Sequence, residues 1–314
     1  MWMLPLFPVL ARAAGRVFYR LTLAGERVPA AGPVLLVANH PNSLLDPVLV
    51  VAAARRPVRF LAKAPLFTDP KVSWLVRAAG AIPVYRRADD PAQMGKNLDT
   101  FRAVYAALGE GAAVGIFPEG VSHSEPALAP LKTGAARIAL GALALTGRTF
   151  PVVPIGLVHR AKDVFRSEAQ VLVGQPIPWD DLAARGAEDP DAVRTLTERI
   201  ATGLRKVTVN LDAWADLPLV ECVLEIWDAE SGADRSAPSR VARLEVITDR
   251  LAAIRSGPAS HWGELVREAG DYCRRLRRLR LSPRDLDADV RARAGLRWSV
   301  RRAHLLTLPA LLTA

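Results

Sequence analysis

At 314 residues, half of them hydrophobic and 24% charged, the chain has a globular composition that excludes intrinsic disorder and leaves room for one large domain or two. Lys and Arg number 42 against 32 Asp and Glu, and the net charge of +10 suits an anionic partner: a phosphate substrate, an acidic membrane or nucleic acid. Cys222 and Cys273 are the only cysteines, with no CxxC pair, which argues against a disulfide framework or a cysteine zinc site and for a reducing compartment.

No apolar run reaches about 18 residues, so no transmembrane helix is predicted. Shorter apolar stretches lie at 1–11 and 303–314. Pro5 and Pro8 interrupt the first, which also lacks the cationic start of a signal peptide. The second stops while still apolar and is expected to lead into a longer membrane-associated segment. Residues 9–23 place Arg12, Arg16 and Arg20 at four-residue spacing among Val9, Leu10, Val17, Phe18, Leu21 and Leu23. That spacing predicts an amphipathic helix with a basic stripe, which fits either an interfacial helix on anionic lipid or an ordinary helix with a solvated face.

Val34 to Ala38 is a continuous apolar run, predicted as a buried strand. A loop carrying His40 follows, then a helix from Pro47 with Asp46 as its N-cap. Further strands are predicted at 58–62, 81–85, 112–117, 151–157 and 170–173, with helices at 71–79, 94–108 and 134–145 between them. Apolar strands alternating with helices define an α/β fold with a mixed, mostly covered sheet flanked by helices. His40, Lys63, Arg86 and Glu119 each fall at or just past a strand end, where open α/β sheets bind ligands. Beyond residue 180 the pattern turns helical, at 191–207, 217–227, 241–255 and 261–280, with a linker at 230–239. The chain therefore divides into an N-terminal amphipathic segment (1–29), an α/β domain (30–210) and a helical C-terminal region (211–314).

A histidine and, six residues on, a carboxylate make a base and the group that orients it. Such a pair takes a proton from a hydroxyl and sends the oxygen at a carbonyl. Taken alone, the two residues also fit a plain helix cap and a loop histidine. No Gly-x-Ser-x-Gly of a serine hydrolase, no phosphate-loop or dinucleotide glycine motif and no metal-ligand spacing occurs, so no metal is expected. Residues 274–280 hold five arginines, suited to lipid headgroups or to a solvated helix face. No aromatics interleave with them to stack bases, and nucleic acid is not an expected partner.

Four blocks in order resemble the glycerolipid acyltransferase superfamily: Asn39-His40 with Asp46-Pro47, then Gly80 to Arg86, then Phe117-Pro118-Glu119-Gly120 with Lys132 and Gly134 downstream, then Val153-Pro154-Ile155. The resemblance covers residues 30–176 and implies that superfamily's fold. It further implies transfer of a fatty acyl group from acyl-CoA or acyl-carrier protein, with no cofactor, to glycerol-3-phosphate or lysophosphatidate at the cytoplasmic face of a membrane. His40 is then the general base and Asp46 its orienting carboxylate. Arg86 takes the acceptor phosphate through its planar fork, with Lys63 and Lys132 as weaker candidates for that charge. Asn39, Glu119 and Gly120 complete the substrate-binding set. Two departures stand out. Five residues rather than four separate His40 from Asp46, and Val121-Ser122-His123 replaces the more common Thr-Arg-Ser. Both resemble a subset that acylates glycerol-3-phosphate or dihydroxyacetone phosphate. Glycerol-3-phosphate is therefore the expected acceptor, with lysophosphatidate next and a non-catalytic lipid-binding relative third.

Overall fold

The computed structural model describes residues 7–43, 45–86, 91–211, 213–231 and 237–279, with isolated positions 281, 283 and 286. They fall into two compact units, one within 1–214 and 236–248, the other within 215–235 and 249–314. The first is built on one seven-stranded sheet in the order β1-β7-β6-β2-β5-β3-β4. Its strands are β1 (Arg20–Gly25), β2 (Val34–Ala38), β3 (Val58–Lys63), β4 (Ile82–Val84), β5 (Ala113–Ile116), β6 (Val152–His159) and β7 (Glu168–Val173). Every neighbouring pair is parallel except β6 with β7, which makes the sheet mixed.

Both faces of the sheet are covered, and β2 shows why its sequence carries no polar alternation. All five of its residues are buried. Val34, Leu36 and Ala38 pack into a core with α1 (Phe7–Phe18) and α2 (Leu45–Ala54). Leu35 and Val37 point the other way, into a core with α4 (Asn97–Gly109), α5 (Gly134–Thr146) and α6 (Pro190–Arg205). A short α3 (Ser73–Ala78) precedes β4, and Gly80 closes the turn between them at φ 67°.

The structure differs from the sequence expectation at three places. The helix predicted over 9–23 ends at Phe18, and residues 20–25 form edge strand β1. There the helical spacing gives way to period two, with Arg20 and Thr22 exposed and Leu21 and Leu23 half-buried. Helix α2 begins at Leu45, so Asp46 lies inside the first turn rather than at the cap. The third difference is in the second unit, where α7 (Leu217–Glu230), the end of α8 (Ala237–Arg255) and α9 (Ala259–Leu279) assemble. Cys222 on α7 and Cys273 on α9 form a disulfide across a Cα separation of 6.3 Å, against the expectation of none. Their 51-residue spacing carries no local signal, and only the pairing of the two helices brings them together. No described helix is long and apolar enough to cross a membrane. The apolar stretch at 303–314 lies outside the described residues.

Candidate active site

Because β2, β3, β4, β5 and β6 run parallel, the residues that follow them share one edge of the sheet. His40 follows β2, Lys63 ends β3, Arg86 follows β4, Glu119 follows β5 and His159 ends β6. The extra residue between His40 and Asp46 is absorbed by a tight loop, in which Ser43 takes φ 30° and Leu45 N donates to Asn42 O at 2.9 Å. The loop turns the Asp46 carboxylate back onto the histidine. His40 Nδ1 lies 2.8 Å from Asp46 Oδ2, which also accepts from Asn42 N at 2.7 Å. The Asp46 side chain is fully buried. Burial pushes its carboxyl up, but His159, His40 and the Asn42 N–H together outweigh it and hold the group below the ordinary carboxylate range.

The ring of His40 is fixed from its face as well. Phe117 stacks on it at 3.9 Å between centroids, and Phe60 stacks on Phe117 at 5.5 Å. With Nδ1 engaged by the carboxylate, Nε2 is the nitrogen left to meet a substrate hydroxyl.

Two of the residues expected to bind substrate turn inward instead. Asn39 donates Nδ2 to Leu157 O at 2.9 Å and accepts from Leu157 N at 2.7 Å, so its amide acts as a strand partner for β6. Glu119 is 3% exposed. Its Oε1 accepts from His40 N at 2.8 Å, and its Oε2 accepts from Ala129 N at 2.9 Å and meets His123 Nε2. The carboxylate thus anchors the His40 loop to the end of β5, and His123 is part of the anchor. Both placements have one cause: a buried loop must satisfy its backbone donors, and short polar side chains at strand ends do so.

Arg86, Gly120 and Lys132 come together. Arg86 Nη1 donates to Gly120 O at 3.1 Å. Gly120 has φ 75°, and a Cβ there would stand 2.7 Å from Lys132 Nζ. The positive φ favours glycine, and the absent Cβ leaves room for the Lys132 chain to lie close. His40, Lys63, Arg86, Gly120 and Lys132 line one cavity of about 890 Å³, whose remaining wall is mostly apolar, with Val48, Val51, Phe60, Leu75, Phe101 and Ile138.

One residue of the site is absent from the sequence expectation. The side chain of His159 is 3% exposed, with Nε2 3.4 Å from Asp46 Oδ1 and the Tyr19 ring 5.2 Å from its own. Its signal is the strand-end position it shares with His40 and Lys63, visible only if β6 is carried two residues past Leu157.

A covered α/β sheet whose parallel edge presents a carboxylate-held histidine above an apolar cavity defines a class of group-transfer site. Residues 20–158, which hold all of these groups except Tyr19 and His159, match the family model described as Acyltransferase. Glycerol-3-phosphate O-acyltransferase 2 of Saccharomyces cerevisiae is 35% identical over 134 residues, 42% of this chain and 18% of that one. Glycerol-3-phosphate O-acyltransferase 1 of the same yeast is 33% identical over 132 residues, 40% of this chain and 17% of that one. The chain therefore spans less than a fifth of the length of these yeast relatives. The 1-acyl-sn-glycerol-3-phosphate acyltransferase of Bacillus subtilis is 25% identical over 190 residues, 60% of this chain and 87% of that one. A solved structure, the 1-acyl-sn-glycerophosphate acyltransferase of Thermotoga maritima, aligns at 19% identity with a TM-score of 0.47, over 66% of this chain and 78% of that one.

Proposed function

We propose that this chain moves a fatty acyl group from an acyl thioester, on CoA or acyl-carrier protein, to a hydroxyl of glycerol-3-phosphate. The observation that carries the reading is the His40–Asp46 pair at 2.8 Å, whose histidine lines the same mostly apolar cavity as Arg86 and Lys132. His40 Nε2 takes the acceptor's hydroxyl proton as the oxygen attacks the thioester carbonyl. Collapse of the tetrahedral intermediate breaks the C–S bond, and His40 returns the proton to the departing thiolate. Asp46 holds the tautomer and stabilises the imidazolium. Arg86 and Lys132 take the phosphate, with Lys63 further along the wall, and the apolar part of the cavity takes the acyl chain. Glycerol-3-phosphate is favoured by the five-residue His–Asp spacing, by Val121-Ser122-His123, and by the names of the two yeast relatives. Lysophosphatidate is the second reading, favoured by the name of the Bacillus relative, 87% of which is covered. The reaction is assigned to the cytoplasmic face of a membrane, where lipid product and basic protein meet.

Thiol release tests the proposal, with acyl-CoA and acyl-carrier protein as donors and each acceptor in turn. Release that depends on glycerol-3-phosphate is expected in the wild type, falling by roughly 10² to 10⁴ in His40→Ala. Dependence on lysophosphatidate would move the assignment to the second reading. Wild-type silence with both donors and both acceptors overturns it.

A further inference from the structure

Asp46 presents two oxygens to the site, and only one is accounted for by the His40 pair. Oδ2 accepts from His40 and Asn42. Oδ1 is buried and has no hydrogen bond among the described residues, and neither does either ring nitrogen of His159. These unsatisfied groups face each other, with Nε2 of His159 3.4 Å from Oδ1. Two buried polar groups of complementary chemistry at that separation need only a small ring rotation to reach the roughly 2.7–2.9 Å of a charge-assisted hydrogen bond.

We infer that His159 is a positioning residue for acyl transfer, a second imidazole that clamps the Asp46 carboxylate through Oδ1 while His40 uses Oδ2. This extends the reading of His40 as base and Asp46 as its orienter. The placement comes from the sheet: β6 is the parallel neighbour of β2, so its last residue meets the loop that follows β2. Tyr19 backs the His159 ring from the start of β1, and its hydroxyl donates to Lys162 O at 2.6 Å and accepts from Asn42 Nδ2 at 2.7 Å. The charged and titratable groups around the pair are His40 from the loop after β2, Tyr19 before β1, and Lys162 and Asp163 from the loop after β6. Lys162 is itself held, with Nζ on Pro41 O at 3.1 Å and on Ser124 Oγ at 2.6 Å. Clamped at both oxygens, the carboxylate cannot swing about its Cβ–Cγ bond, and its charge is divided between two rings. With His159 removed, Asp46 acts on His40 alone and holds its proton more tightly, which makes it a poorer base at a given pH.

His159→Phe and His159→Gln separate this role from packing, because glutamine carries a terminal nitrogen donor and phenylalanine fills the space without one. In His159→Phe, kcat is expected to fall about tenfold, a fraction of what a positioned base supplies. KM for glycerol-3-phosphate should change less than about twofold, and the acid limb of the kcat/KM profile should move to higher pH. His159→Gln should recover most of the rate and the position of the limb. A glutamine variant at least as impaired as the phenylalanine one, with the limb unmoved in both, overturns the clamp. Histidine ¹⁵N spectra of the unliganded protein read it without turnover. His40 should titrate at higher pH in His159→Phe than in the wild type, and equal midpoints overturn the inference. Should the phenylalanine variant not fold, the wild-type spectrum decides: His159 must carry its proton on Nε2, and the opposite tautomer overturns the clamp. A wild type that shows the clamp but no acyl transfer would sink the proposed function instead.

Discussion

Asp46 concentrates the energetics of the site in one side chain. A carboxylate with no solvent exposure survives only if its partners offset the lost hydration, and here the His40 ring and the Asn42 N–H do so directly. Its carboxyl lies below the ordinary value of 3.8 in the folded state. The sign follows: the unfolded chain binds the proton first as pH drops, so the stabilisation is complete above pH about 4 and is lost as pH falls through the lower folded value. Asp46→Asn should therefore cost about 1.5–3 kcal/mol at pH 7, measured by denaturant unfolding, with the gap to wild type closing as the titration is carried below pH about 4. A gap that stays constant with pH would show that the charge contributes nothing. This pair was legible in the sequence because a histidine, a five-residue loop and an Asp-Pro helix start are a local pattern. Asn39 and Glu119 were legible as positions, but not as partners of the Leu157 and His40 backbone. Residue type does not distinguish a side chain committed to a neighbouring backbone from one that faces a ligand.

The strands set the geometry that those residues need, and β5 shows how little slack there is. A Cβ on Gly115 would overlap the ring of Phe60 on the adjacent β3. Phe60 stacks on Phe117, and Phe117 stacks on His40, so a displacement at the sheet is passed ring by ring to the proposed base. Gly115→Ala should lower stability by about 1–3 kcal/mol through overpacking. It should also lower kcat, while a control Gly263→Ala, at an exposed position where a Cβ meets nothing, leaves kcat unchanged; thermal melts and steady-state rates on both variants check this. Unaltered kcat in a destabilised Gly115→Ala would break the link between the sheet and His40. Most of this layer was legible, since continuous apolar runs such as 34–38 and 112–117 are strands buried on both faces. Edge strand β1 was not. Its partner β7 lies 148 residues away in register, and its two leucines continue the helical spacing of the preceding turn closely enough to hide the change of period.

At the scale of the whole molecule, the net charge of +10 has to be matched with a surface that uses it. Helix α1 packs Ala11 and Gly15 inward against α2, where a Cβ on Gly15 would already stand 3.2 Å from Leu49. Its other side leaves Val9, Leu10 and Val17 at 66%, 54% and 62% exposure, on the same side as exposed Ala13 and Ala14 and flanked by exposed Arg16. An apolar stripe bordered by arginine is how a helix lies in a lipid interface, with the cations at the headgroups. Flotation with vesicles tests it. Binding to vesicles rich in anionic phospholipid should exceed binding to neutral ones, and should weaken as salt rises from about 0.1 M to 1 M and the screening length drops from about 10 Å to 3 Å. Leu10→Glu and Val17→Glu should each weaken binding by at least about tenfold, because each replaces apolar contact with a charge of the wrong sign. Their melting temperatures should match the wild type, since both positions are exposed in the folded unit. Equal binding to neutral and anionic vesicles, or glutamate variants that bind as well as the wild type, would show that the charge and the stripe serve some other surface.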